Sequence, residues 1–228
     1  MPKKTISKKG YIAIALLVII AIAGAAIVYA SMISNFGASV TVGVHTGDTF
    51  SYKLTGTAVL FDSAATPPAG FSDFNNTDYY KVTITGINGS VVSFDTDWQF
   101  TNGTEIKESQ LLDLSTGRTT GDFWAIYTAN LNVNDLLRPK GADGLVVNST
   151  DTKTYANSTR QRNHFDIGNV FYDVNDPTYS TQRYEYDQVY FDKQTGVLET
   201  LTNVQVYNNP QMNLIITWQL NSSTVWNV

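Results

Sequence analysis

His45 and His164 are the only side chains in this 228-residue chain whose ordinary pKa lies near neutrality, and there is no cysteine. Neither histidine belongs to an H-E-x-x-H pattern. The chain has no G-x-S-x-G elbow, no glycine-rich phosphate loop, and no Ser, His and Asp set that spacing singles out. The missing cysteine excludes disulfides, thiol nucleophiles and Cys-based zinc sites. Asp95-Thr96-Asp97 sets two carboxylates two residues apart, but the surrounding alternation assigns both to the polar face of a strand. Asp173, Asn175 and Asp176, before Pro177, offer oxygen ligands of the kind calcium takes. They lack the ligand number and spaced glycine of a calcium loop and read as an Asx-rich turn. The expectation is a protein without catalytic residues, metal or cofactor, and not an enzyme.

Aromatic side chains are the chemistry the chain does carry, with 13 Tyr, 11 Phe and 4 Trp. Phe123, Trp124, Tyr184, Tyr186 and Tyr190 are the candidate ligand-binding set, placed to line an apolar groove if residues 123 and 124 lie on a helix across a curved sheet. Core packing accounts for the same alternation. Six N-x-S/T sequons, at Asn75, Asn88, Asn102, Asn148, Asn157 and Asn221, are candidate glycosylation sites, most of them in expected loops or turns.

The element that decides where such chemistry takes place is Tyr11 to Ala30, an uncharged apolar run that follows Lys3, Lys4, Lys8 and Lys9. Crossing a hydrocarbon core takes roughly 20 apolar residues, against about 7 to 15 for a signal-peptide core. The run therefore reads as a transmembrane signal anchor, with residues 1–10 as its cytoplasmic basic region. Val28 and Ala30 also fit cleavage before Ser31, which would secrete the remainder. Residues 31–39 are small and polar and form a linker. Residues 31–228 hold 11 Lys+Arg and 20 Asp+Glu, a balance of 11 − 20 = −9. That charge disfavours nucleic acid and anionic membrane surfaces as partners.

From residue 40 the hydrophobic period is two. Phe50, Tyr52, Leu54, Ala58 and Leu60 share one face of a first strand. Tyr80, Val82 and Ile84 then face Val92, Phe94, Trp98 and Phe100 across a hairpin. A three-residue loop, Ile87 to Gly89, sets Ile84 opposite Val92 and keeps apolar residues together. Residues 121–137 carry the one helical spacing outside the membrane run, with Asp122 as cap and Pro139 as stop. The last third alternates at even positions, Tyr184, Tyr186, Tyr190, Leu198, Val204, Val206, then Met212 to Leu220, and predicts one meander with that face inward. The sum is a mainly β fold: one antiparallel curved sheet, half-barrel or sandwich, with one short helix, over residues 40–228.

Three stretches carry resemblances. Val42-Gly43-Val44-His45-Thr46-Gly47-Asp48-Thr49-Phe50-Ser51-Tyr52 and Tyr190-Phe191-Asp192-Lys193-Gln194-Thr195-Gly196-Val197-Leu198-Glu199 resemble the opening strand and late hairpin of archaeal exported or membrane-anchored β-domain proteins, which carry no known activity. Lys8-Lys9-Gly10 before the apolar run is similar to the class III signal of archaeal pilins. The expected curved sheet with a helix in its mouth is similar in architecture to the LolA-like lipoprotein carriers. Three roles follow for a domain outside the membrane: a cell-surface domain that acts by binding or as a structural component, a carrier or sensor of an apolar ligand, or a filament subunit. The partners expected are the membrane, through the N-terminal helix, and either an apolar ligand or a cell-surface protein.

Overall fold

The computed structural model describes residues 40–155, 158–173, 175, 178 and 180–228. The basic region, membrane run and linker assigned above lie outside them, as do Asn157, Asp176 and Tyr179. Among the described residues no helix is long and apolar enough to cross a membrane.

Residues 40–228 are built on a single open antiparallel sheet of nine strands. They are β1 (Thr49–Leu60), β2 (Thr77–Asn88), β3 (Val91–Phe100), β4 (Glu105–Asp113), β5 (Ser149–Tyr155), β6 (Ser158–Tyr172), β7 (Gln182–Asp192), β8 (Leu198–Asn208) and β9 (Gln211–Ser223). Their order is β4-β3-β2-β1-β9-β8-β7-β6-β5. The chain lays its first four strands from the centre to one edge and crosses through residues 114–148 to the other edge. It then returns until β9 pairs with β1 from Phe50 to Leu60. Among the described residues the strands form one open sheet with no second sheet against it, which is not a sandwich.

Register fixes which residues share the inner face. Leu54 lies opposite Trp218, Trp218 opposite Leu201, Leu201 opposite Val189 and Val189 opposite Phe165. Two segments cover this face. The loop between β1 and β2 packs Ala65 and Phe71 against Ala58, Tyr207, Met212 and Leu214. The crossover contributes Leu114, Phe123, Ala125, Ile126, Tyr127, Leu131, Leu137 and Val147 to the main core.

The crossover corrects the expected helix at 121–137. Beyond Gln219, β9 leaves β8 and continues on β1 alone, as Thr200↔Gln219 is the first β8–β9 pair and Leu220 pairs with Tyr52. The vacated edge of β8 is taken by the crossover: the Tyr127 N–H donates to Gly196 O at 2.8 Å and Leu198 N–H to Ala125 O at 3.1 Å. Ala129 N–H donates to Thr41 O at 2.8 Å. Residues 125 to 129 are all buried, between 1% and 4% exposed. An amphipathic helix keeps one face in water, and this segment has none to spare. Asn130 (φ 60°) and Asn134 (φ 71°) then turn the chain through left-handed backbone that ends any helical run. The one helical element named among the described residues is a 3-10 turn, Phe71–Phe74.

Two registers also differ from expectation. The β2–β3 turn is tight, with Asn88 opposite Val91, and the extra residue sits as an irregularity between Ile84 and Gly86, so Ile84 faces Phe94 rather than Val92. Apolar still meets apolar, because the bulge restores the parity that the shorter turn reversed. In the last third a bulge between Tyr190 and Phe191 does so for β7 and β8 and brings Leu198 inward, but none does so between β8 and β9. Asn208 pairs with Gln211 across a two-residue turn, which puts even positions of β9 on the same face as odd positions of β8 and β7. Val189 and Phe191 are therefore buried, while Tyr184 and Tyr186 are 58% and 41% exposed on the other face.

Candidate functional site

Between the β1–β2 loop and the crossover the inner face stays uncovered, leaving a groove of about 290 Å³. Its floor is Tyr80, Thr96, Trp98 and Trp218 from the sheet. Phe74 from the loop and Phe123 from the crossover are its walls, and Ile106, Glu108 and Asp122 form the rim. Behind Phe123 a recess of about 110 Å³ continues between Trp124, Ala125, Leu198, Leu201 and Trp218.

Each wall is fixed by identifiable bonds. Past Tyr52↔Tyr80 the β1–β2 ladder ends, and the Asn75 side chain takes over. Its Oδ1 accepts from Gly56 N–H at 2.9 Å and its Nδ2 donates to Gly56 O at 2.7 Å. Position 56 has no side chain, and Phe71 packs where one would stand. The Trp98 ring N–H donates to Thr77 Oγ1 at 2.7 Å, and that hydroxyl donates to Asp73 O at 2.7 Å, tying floor to loop. On the other side Gln110, 3% exposed, accepts from Phe123 N–H at 3.1 Å and donates to Glu108 Oε2 at 2.8 Å. One buried amide thus places a wall and a rim carboxylate together.

Aromatic packing makes the floor rigid. The Tyr80 ring meets Trp218 at 4.8 Å and 66°, and Trp98 at 5.9 Å and 61°. Phe123 contacts Tyr52, Tyr80, Phe94 and Trp218, rings on four successive strands. A flat sheet would spread those strands over about 14 Å, so the sheet curves round this ring. Burial pushes the Tyr80 hydroxyl up to about 12; Thr96 offsets this in part, and the Glu108 and Asp122 charges add to it. It is a neutral phenol at physiological pH.

Of the five candidate ligand residues, the structure brings Phe123 and Trp124 to this site and leaves Tyr184, Tyr186 and Tyr190 on the opposite face, where Tyr190 stacks on His164 at 4.5 Å. The tight β8–β9 turn is the reason. Trp98, Trp218 and Tyr80 replace them, and all three lay in the sequence on strands of clear alternation. Gln110 carried no signal.

The sequon asparagines among the described residues, Asn75, Asn88, Asn102, Asn148 and Asn221, are all exposed. Asn75 differs in having its amide nitrogen bonded to Gly56 O. Asn175 N–H donates to Asp173 Oδ1 at 2.8 Å, which is an Asx turn. Among the described residues no group of three or more His, Cys, Asp or Glu is arranged to hold a metal ion. His45 is held in a turn, its N–H donating to Asp48 Oδ2 at 2.7 Å.

One constellation is visible only in three dimensions. Ser149 Oγ lies 3.4 Å from His164 Nδ1, and His164 Nε2 lies 3.1 Å from Asp166 Oδ1. Asp166 also accepts from the Tyr186 hydroxyl. Ser149 and His164 are directly opposed on β5 and β6, on the face away from the groove. A serine nucleophile needs a cleft and donors placed for an oxyanion. This trio lies instead on a strand surface as a cross-strand polar ladder.

No family model matches the chain, and no curated protein matches it.

Proposed function

We propose that residues 40–228 are a non-catalytic binding domain, held outside the membrane by Tyr11–Ala30, that takes a small ligand in the groove between the β1–β2 loop and the crossover. The observation that carries this reading is the groove: five aromatic rings line about 290 Å³ that neither covering segment fills. Sites for small ligands are concave and apolar, with a few convergent polar groups. Here those are Glu108 and Asp122 at the rim and the Tyr80 and Thr96 hydroxyls on the floor. Of the roles considered, a carrier or sensor of a small ligand fits best, on a smaller scale than a lipid carrier. The acidic balance of residues 31–228, from 11 Lys+Arg and 20 Asp+Glu, supports work at an exposed surface away from nucleic acid.

The test is saturation-transfer NMR on the full chain in lipid nanodiscs, with benzyl alcohol as a neutral probe and empty nanodiscs as control. Ile106, 48% exposed on the rim, is replaced by Trp to fill the groove without touching the core. Transfer above the control that is lost in Ile106→Trp supports the reading. Transfer no greater than the control, or equal in both proteins, overturns it.

A further inference from the structure

We propose that the groove selects an organic cation, a methylated ammonium group, which it holds by its aromatic walls and two rim carboxylates; this rests on the groove being a binding site.

The first ground is the charge of the lining. Glu108 and Asp122 are the only acidic side chains among the residues that line the groove and the recess behind it, and no Lys, Arg or His lines either. The second is that these carboxylates are left without a base. Some other carboxylates are neutralised, as Asp97 is by Lys81 and Asp192 by Arg160, while Asp95 and Asp113 are held by serine hydroxyls. Glu108 has an amide instead, from Gln110, and that bond uses one of its oxygens. Both are exposed at the rim, where a concave mouth with apolar walls gathers the field of such charges and raises the local concentration of cations.

The third ground is ring geometry. Trp98 and Trp218 stand at 61° and 66° to Tyr80, so the three rings do not form one flat platform. Phe74 lies against Trp98 at 6.3 Å and Phe123 stacks on Tyr80 at 5.8 Å and 23°, so five rings meet at the groove. A ring attracts a cation to its face, and several rings around one point recognise an ammonium whose methyl groups cannot donate hydrogen bonds. About 290 Å³ admits such a head group with a short tail. A hydrogen-bonding ligand such as a sugar would find acceptors at the rim but only two hydroxyls as donors on the floor.

The experiment measures binding of choline to the full chain in nanodiscs by tryptophan fluorescence and calorimetry. 3,3-Dimethylbutanol, the neutral carbon isostere, and glucose are run in parallel. The expected result is choline binding at least about tenfold tighter than the isostere, weakened as salt is raised. Asp122→Asn with Glu108→Gln should bring choline and its isostere to equal affinity, and a preference for choline that survives in this double variant overturns the proposal. Equal binding of choline and its isostere, tighter binding of glucose, or no choline binding while benzyl alcohol still binds, each overturns the cation proposal alone. Absence of choline binding together with absence of Ile106→Trp-sensitive benzyl alcohol binding overturns the groove as a site as well.

Discussion

Phe123→Ala separates the two things this ring does: it closes the core beneath the crossover, and it divides the groove from the recess. The ring is 4% exposed and contacts Tyr52, Tyr80, Phe94 and Trp218 at 5.7 to 6.3 Å. Burying such a side chain contributes ~1.5–3 kcal/mol. A closed void of roughly 100 Å³ would add up to ~2.4 kcal/mol at about 24 cal/mol per Å³. This void is not closed, since Phe123 lines both the 290 Å³ groove and the 110 Å³ recess, and water enters from either. The second contribution shrinks, and the expected loss is ~3 kcal/mol, or roughly 6–12 °C in Tm for a domain of this size. Urea unfolding of the full chain, followed by tryptophan fluorescence, measures it. Half-buried Trp124→Ala serves as comparison, with an expected loss of ~1 kcal/mol. The variant should also bind ligands too large for the native groove. A loss below about 1 kcal/mol, or one no greater than that of Trp124→Ala, would refute the placement of Phe123 as the ring that pins crossover to sheet.

Two further predictions concern pH. Glu199 is fully buried, neither carboxylate oxygen has a hydrogen-bond partner among the described residues, and the Lys153 Nζ stands 3.7 Å away. Burial raises its carboxyl in spite of the nearby Tyr155 hydroxyl and the Lys153 charge, so the folded chain keeps this proton to higher pH than the unfolded chain, and stability falls as pH rises through the carboxylate range. Glu199→Gln should change little at pH 4 and stabilise by ~1 kcal/mol at pH 7.5 in paired thermal melts, whereas a loss at pH 7.5 would refute the argument. Asp113 behaves oppositely: burial would raise it, but the Ser90, Ser115 and Thr116 hydroxyls and the Ser115 N–H prevail and hold it at about 2. Its stabilisation, ~1–2 kcal/mol after solvent screening, is complete above the ordinary carboxylate range and lost as pH falls through about 2. Asp113→Asn should therefore be less stable by a constant margin above pH 5, with the margin closing towards pH 2, and a margin unchanged at pH 2 would show the hydroxyl cage to be without effect.

How much of this was legible in the sequence depended on whether a signal was local. Strands β1, β2, β3 and β9 were legible because alternation is a property of one strand, and their apolar even positions face the core except at the end of β1, where Leu60 is 48% exposed. Tyr184, Tyr186 and Tyr190 misled because alternation says which residues share a face and not which face is inside. That choice rests on turn length, and Asn209-Pro210 closes a turn one residue shorter than an odd loop would be. The segment 121–137 misled for a related reason. Its spacing of Phe123, Ile126 and Tyr127 fits a helix, but a chain pressed between core and sheet edge is buried on both sides and needs no solvent face. Gln110 and the Ser149, His164 and Asp166 trio are products of strand pairing and had no local signature at all.

The Asp-Lys-x-Thr-Gly stretch, on which the resemblance to archaeal exported proteins partly rests, acquires a physical meaning from a second occurrence of its pattern. Asp192-Lys193-Gln194-Thr195-Gly196 and Asp113-Leu114-Ser115-Thr116-Gly117 share the spacing D-x-x-T-G. They also share their bonds. Gly196 N–H donates to Asp192 O at 2.8 Å and Gly117 N–H to Asp113 O at 2.7 Å. Thr195 and Thr116 each donate a hydroxyl to the aspartate at 2.8 Å, and both glycines have positive φ, 76° and 74°. The first glycine meets the crossover, since a side chain at 196 would collide with Tyr127 O, and the second marks where the crossover leaves β4. The aspartate, the threonine and the glycine are thus each accounted for by a turn that departs from the sheet and by the segment resting against it. A motif explained in this way reports on scaffold. Neither turn contributes a residue to the groove, where the proposed ligand would meet side chains such as Trp98, Glu108, Asp122 and Trp218.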